Sequence, residues 1–323
     1  DEMNIMRAES PGPSVEKMVP KVRETAFMLY SIYTLMTVIL IVVLYLSGMP
    51  GFDSVCLAFG TAGTGGFGVR ADSLASYSSI SQTIITVGMI MFGVNFNVYY
   101  LIIMRKFKDL IHAEEVISYI VIYLIATTIV VIGTLGILPG TSDFMRFSTV
   151  EESIHHSAFQ VASVMTTTGY ATVDFDKWAN LPRMIMVLVM FIGACAGSTS
   201  GGLKGIRGVM ILKVVRNNFK QILHPNAVLP VKINGQSVPQ SRIVSLFAFF
   251  SLFIIMLLVT GTIMFMSGID TVNSAAIALS CVSNIGPSLA NDVGANITWS
   301  AMPDGIKWIL CLLMLMGRLE IMT

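Results

Sequence analysis

Three runs rich in glycine and hydroxyl side chains hold the residues whose types could coordinate an ion. They are Thr64-Gly65-Gly66-Phe67, Thr167-Thr168-Gly169-Tyr170 and Asn284-Ile285-Gly286-Pro287. Aligned on Gly66, Gly169 and Gly286, they recur at intervals of 103 and 117 residues, the mark of internal repeats. Glycine lets a backbone take positive φ and turn its carbonyls to one side. Carbonyls converging on one axis can replace the hydration shell of a monovalent cation. Carboxylates follow in near register: Asp72, Asp174 and Asp292 lie six, five and six residues beyond their glycines. At an outer mouth they would raise the local cation concentration. Any one of them alone is read more simply as a solvated loop acid.

A second constellation is Gly197-Ser198-Thr199-Ser200-Gly201-Gly202-Leu203-Lys204, inside an apolar segment. A phosphate-binding loop needs Lys directly after its second glycine, and here Leu203 intervenes. The run reads instead as a helix broken below the filter, whose small residues serve either close packing or a mobile obstruction. Arg318 stands in a stretch that is otherwise apolar apart from Glu320. A charge at membrane depth faces a cavity or a partner, unless its long side chain snorkels to the edge. Glu151, Glu152, His155 and His156 lack the His-Glu-x-x-His order of zinc hydrolases and read as helix-capping and mouth residues. Cys56, Cys195, Cys281 and Cys311 have no metal-ligand spacing and read as free thiols.

The elements that must position these groups follow from hydropathy. The 323 residues are 54% hydrophobic and 12% charged, against about 25% charged in soluble domains, so the chain is a membrane protein. Its net charge of +1 gives no sign of a nucleic-acid partner; its apolar faces meet membrane lipid. Residues 1–24 form a polar cytoplasmic linker. Residues 25–108 form one pore unit, with spans at 25–47 and 81–104 around a short helix near Asp53. Residues 109–220 form a second, with a span at 117–138, a helix started by Ser148 and Thr149 paired with Glu151 and Glu152, and a broken segment at 183–215. Residues 221–242 are a linker with a hairpin signal at Asn234-Gly235. Residues 243–323 form a third unit, in which Asp270 caps the short helix and the last helix is cut short.

Each unit thus reads as transmembrane helix, pore helix, re-entrant loop, transmembrane helix, in an all-α membrane protein. The short helices would aim their partly negative C-terminal ends at the shared axis, which favours a cation. Lys and Arg concentrate at Lys17 to Arg23, Arg105 to Lys108 and Lys213 to Arg242, which places that side in the cytoplasm.

With these residues in view, the chain resembles the TrkH/KtrB-type potassium transporter superfamily. The resemblance rests on the Thr-Thr-Thr-Gly-Tyr run at 166–170, on Gly197–Lys204, on Gly317-Arg318-Leu319-Glu320 and on Glu9-Ser10-Pro11-Gly12-Pro13. It covers essentially the whole chain. It implies a channel-like fold of four units around one filter, potassium bound at that filter and no other metal or cofactor, and uptake across the bacterial inner membrane. It also implies a homodimer, a cytosolic nucleotide-binding regulatory subunit, and a pore-facing Arg318 near a gating loop. The chain departs from this pattern in presenting three units of four, so by itself it is expected not to conduct. Asn284, Ile285 and Pro287 make the filter less uniform and are expected to soften ion discrimination. On this reading the protein is not an enzyme. Two alternatives are an ion-coupled secondary transporter and an intramembrane metal-dependent hydrolase using His155, His156 and Glu152. Parallel units re-entering from one side speak against the former, and the missing zinc motif speaks against the latter.

Overall fold

The computed structural model describes residues 22–105, 113–137, 144–224, 229–234, 236–289, 299 and 302–318. Asp292, Glu320 and the segment Glu9–Pro13 lie outside these. The first unit comprises α1 (Val22–Leu46), α2 (Gly51–Ala62), α3 (Ser79–Phe92) and α4 (Phe96–Ile103). The second comprises α5 (Glu114–Thr134), α6 (Val150–Met165), α7 (Asn180–Ile192) and α8 (Gly205–Leu223). A two-stranded hairpin, β1 (Lys232–Ile233) and β2 (Gln236–Ser237), leads to the third: α9 (Gln240–Met266), α10 (Thr271–Val282) and α11 (Asp304–Arg318).

Helices α1, α5 and α9 each open a unit and carry apolar windows long enough to cross a bilayer. Their outward faces remain apolar, as Leu35, Val38, Ile125, Ile255 and Leu258 illustrate. The second helix of each pair, α2, α6 and α10, has 12, 16 and 12 residues. At about 1.5 Å per residue none of these reaches across an apolar core of about 30 Å, so each enters and stops. The expected caps form: the Thr149 hydroxyl accepts from the Glu152 N–H at 3.2 Å, and the Asp270 carboxylate accepts from the Val272 N–H at 3.1 Å. Neighbouring units pack through α3 against α6 and through α7 against α10. One continuous buried cluster runs through all three, from Leu57 and Ile85 through Phe159 and Tyr170 to Ile277 and Val282.

The span expected at 81–104 is not one helix. Helices α3 and α4 meet at an 89° bend around Gly93–Asn95. Asn95 caps α4 by accepting from the Asn97 N–H at 2.9 Å, and the freed backbone is taken up by another unit. The Phe96 N–H donates to the Gly197 carbonyl, and the Cys195 N–H to the Gly93 carbonyl, both at 3.1 Å. The break in the second unit falls where the small residues lie, between the end of α7 at Ile192 and the start of α8 at Gly205. The hairpin pairs Lys232 with Ser237 and Ile233 with Gln236 around Asn234, whose φ is 48°.

Candidate ion pathway

The three runs share one backbone pattern. Thr64, Thr167 and Asn284 have φ of 49°, 55° and 56°, and Gly66, Gly169 and Gly286 have 68°, 85° and 98°. The residues between, Gly65, Thr168 and Ile285, are not in the positive-φ region. Left-handed backbone costs an ordinary side chain about 1–2 kcal/mol, so Thr64, Thr167 and Asn284 are strained positions held by their surroundings. Alternating handedness along the chain turns successive carbonyls to the same side, the geometry a dehydrated cation requires. Each run turns off its helix identically: the Gly60, Ser163 and Ser280 carbonyls accept from the N–H of Gly65, Thr168 and Ile285 at 2.8, 2.9 and 3.0 Å.

The runs also lie against one another. A Cβ on Gly66 would overlap the Thr168 carbonyl oxygen, and one on Gly169 would overlap the Ile285 carbonyl oxygen. Only glycine permits that approach. No described atom lies within 4 Å of a Cβ on Gly286. The fourth residues of the runs diverge. Tyr170 is fully buried, Phe67 is 82% exposed and Pro287 is half-buried, so the fourth positions do not share one environment. Beyond the filter the first two units are tied together: the Leu74 N–H donates to the Ala171 carbonyl at 3.0 Å, and the Ser73 hydroxyl accepts from the Ala171 N–H at 3.1 Å.

The mouth acids behave differently from one another. Asp72 is exposed, whereas Asp174 is half-buried, accepts from the Asp176 N–H at 3.2 Å and pairs with Lys177 at 3.3 Å. Asp53, in the first turn of α2, accepts from the Tyr77 hydroxyl at 2.8 Å, and the Arg70 guanidinium stands 4.2 Å over the Tyr77 ring. Burial, reinforced by the hydrogen bond to Asp53, pushes the Tyr77 phenol up to about 12, so it stays a donor. His155 bonds to Gln82 of α3 at 2.7 Å and His156 to Thr172 of the following loop at 2.9 Å, so the imidazoles tie α6 to a helix and to a loop. Among the described residues no cluster of His, Cys, Asp and Glu could hold a metal ion.

Residues 193–204 lie directly against the three runs. The Thr64 hydroxyl donates to the Thr199 carbonyl at 2.8 Å, and the Thr167 hydroxyl accepts from the Gly201 N–H at 2.7 Å. A Cβ on Gly201 would press on the Ser283 carbonyl at 3.0 Å. The loop therefore touches the strained residue or its neighbour in every run. Buried Lys204 reaches back to the Ser200 carbonyl, and buried Ser198 donates to the Cys195 carbonyl at 2.6 Å. From the side, the Glu115 carboxylate of α5 accepts from the Ala196 N–H at 2.5 Å. Arg318 closes α11 and is exposed, while the preceding Gly317 packs on the Val282 carbonyl and the Asn284 amide. The buried cation on the loop is thus Lys204.

Sequence reasoning gave no role to Ser163, Ser280, Asn95 and Glu115. The two serines share an offset of six residues before the filter glycine, a signal visible on alignment of the runs. Glu115 opens an apolar span, where a carboxylate signals a buried partner. Asn95 carried no such signal.

Comparison with known proteins finds relatives along the whole chain. The family described as TrkH, cation transport protein, matches residues 1–323. The chain is 33% identical over 328 residues to the Trk system potassium uptake protein TrkH of Salmonella typhimurium, covering 99% of the chain and 65% of that protein. It is 28% identical over 320 residues to the Trk system potassium uptake protein TrkG of Escherichia coli K12, covering 98% of the chain and 64% of that protein. The crystal structure of the potassium transporter TrkH from Vibrio parahaemolyticus superposes with a TM-score of 0.85 at 26% identity, over 99% of the chain and 66% of that structure. The chain thus spans just under two thirds of the relatives it matches.

Proposed function

The chain belongs to the TrkH family of cation transport proteins, and from that premise we propose that it forms the wall of a potassium uptake pathway. The observation that carries the reading is the alternation of positive, other and positive φ at three equivalent places, each after a helix too short to span. Backbone carbonyls of Thr64 to Gly66, Thr167 to Gly169 and Asn284 to Gly286 serve as ligands for dehydrated potassium. Potassium is the cargo, and the chemistry needs no covalent cofactor. Asp72 and, less strongly, Asp174 concentrate cations at the outer mouth.

The loop 193–204 is the gate in this reading. Its carbonyls and N–H groups are spent on the filter threonines and on Glu115, which holds it across the axis. Opening requires those bonds to break together. The lever is α8, which continues the loop and pairs Lys213 with Glu114 and with the Lys232 carbonyl of the hairpin. A cytosolic nucleotide-binding regulator acting on α8 and the hairpin, in a homodimeric assembly, would pull in the right direction. Basic residues at Arg105, Lys213, Arg216 and Lys220 support assigning this layer to the cytoplasmic side of the bacterial inner membrane. The test is flux of K⁺, Rb⁺ and Na⁺ into proteoliposomes holding the intact protein. Saturable K⁺ and Rb⁺ entry exceeding Na⁺ entry is expected. Equal entry of all three, or none with the regulator present, overturns the reading.

A further inference from the structure

Behind the filter, two serines do the same thing in two units. The Ser163 hydroxyl donates to the Tyr170 carbonyl at 2.6 Å. The Ser280 hydroxyl donates to the Pro287 carbonyl at 2.8 Å and reaches the Gly286 carbonyl at 3.0 Å. Both serines are fully buried in the last turns of their pore helices, six residues before the filter glycine. Both hold the carbonyl of the residue just after that glycine. A hydroxyl on that carbonyl turns it back into the wall, so the inward-facing series ends at Gly169 in the second unit and no later than Gly286 in the third, where the same hydroxyl reaches both carbonyls.

The first unit has Gly60 where the others have serine. Its equivalent carbonyl, on Phe67, still points to the same place: it lies 3.4 Å from the position a Cβ on Gly60 would take. That position is already filled. The phenol oxygen of Tyr170, from the second unit, overlaps it and donates to the Leu57 carbonyl at 3.2 Å. The first unit lacks the serine, and its neighbour's phenol fills that volume while donating to Leu57 instead.

We propose that Ser163 and Ser280 are positioning residues that set the ion preference of the filter by fixing where its inward carbonyls end, and that the Tyr170 phenol occupies the place of the serine that the first unit lacks. This rests on the reading of the three runs as a potassium filter. The physical reason is rigidity. A buried carbonyl without a donor costs about 1–3 kcal/mol, so loss of the hydroxyl releases the peptide to seek another partner. The peptide that swings is the one joined to Gly169 or Gly286, and a filter of movable carbonyls adapts to the smaller ion.

The experiment is the ratio of K⁺ to Na⁺ flux in proteoliposomes holding the intact protein, with folding followed by thermal melting. Ser163→Ala and Ser280→Ala are each expected to cut the ratio about fivefold to tenfold, the worth of one donor to a buried carbonyl. Ser163→Cys and Ser280→Cys keep the volume with a weaker donor, and fall between. They decide the matter where the alanine variants do not fold. Gly60→Ser should collide with the phenol and cut the ratio. Gly60→Ser with Tyr170→Phe removes the collision, gives the first unit the serine of the others, and should restore at least half of it. Two results overturn the proposal while leaving the filter reading intact. One is folded alanine or cysteine variants with the wild-type ratio, and the other is a double variant no better than Gly60→Ser alone. Wild-type protein with no preference for K⁺ overturns both together.

Discussion

The proposed filter and the loop against it are both irregular backbone between helices, yet they are held in opposite ways. The filter is built three times over. Each run has the same pair of left-handed residues and the same carbonyl turning it off its helix, with hydrogen bonds largely inside the unit. The loop occurs once. Its ties come from other elements: Thr64 and Thr167 above, Glu115 beside it, Gly93 and Phe96 at the bend of the first unit. A segment held by its own helix stays formed when neighbours move. A segment held by five outside groups can be released by moving any rigid body that carries several of them. On the proposed reading, that difference is the one between a selectivity element and a gate.

The comparison can be broken most severely at the filter. Gly169→Ala places a methyl on the Ile285 carbonyl oxygen and a side chain at φ 85°. Strain of about 1–3 kcal/mol plus the overlap should abolish selective K⁺ uptake, a fall of roughly a hundredfold or more. Wild-type K⁺ over Na⁺ uptake in a folded Gly169→Ala protein would show that the runs do not form the filter.

Next in size is release of the loop. Glu115→Gln keeps the shape of the side chain and removes the charge from its bond to the Ala196 N–H. Charge-assisted bonds are about twice as strong as neutral ones, so basal Rb⁺ flux without the regulator should rise about threefold to tenfold. Deletion within Gly197–Gly202 should raise it further. If both lower the flux of folded protein, the loop is a structural plug and the gate lies elsewhere.

Lys204 and Arg318 distinguish two accounts of how the loop is charged. Lys204 is buried and holds the Ser200 carbonyl, whereas Arg318 is exposed at the end of α11. Lys204→Met should therefore raise basal flux by about as much as Glu115→Gln, and Arg318→Ala by less than twofold, as expected for an exposed charge. A larger effect from Arg318→Ala would place its guanidinium on the loop during closure.

The smallest effect is at the mouth. Asp72→Asn should lower flux by roughly twofold at low ionic strength and not measurably at 1 M salt, where the Debye length falls to about 3 Å. Asp174→Asn removes a carboxylate already paired with Lys177, so its effect on flux should be smaller still. Equal losses at both salt concentrations would mean damage to the loops instead.

The sequence by itself determined the local elements. Apolar runs of membrane length, pore helices too short to span, the caps at Thr149 and Asp270, and glycines at matching offsets follow from hydropathy, length and local hydrogen bonding. Those signals are written in neighbouring residues. Even the turn at Asn234 was legible, because a two-residue hairpin loop demands positive φ. The tertiary structure alone decided the relations between units. Nothing in Met89 to Val98 announces an 89° bend. It exists because the broken backbone at Gly93 and Phe96 finds its hydrogen-bond partners at Cys195 and Gly197, a hundred residues away. Nor does Gly60 declare that it is small to admit the Tyr170 phenol, or Glu115 that it caps the loop at Ala196. A buried polar group must be satisfied, but the sequence does not say by whom. In a pore assembled from repeats the partner often sits in the next repeat, where only the fold brings it within reach.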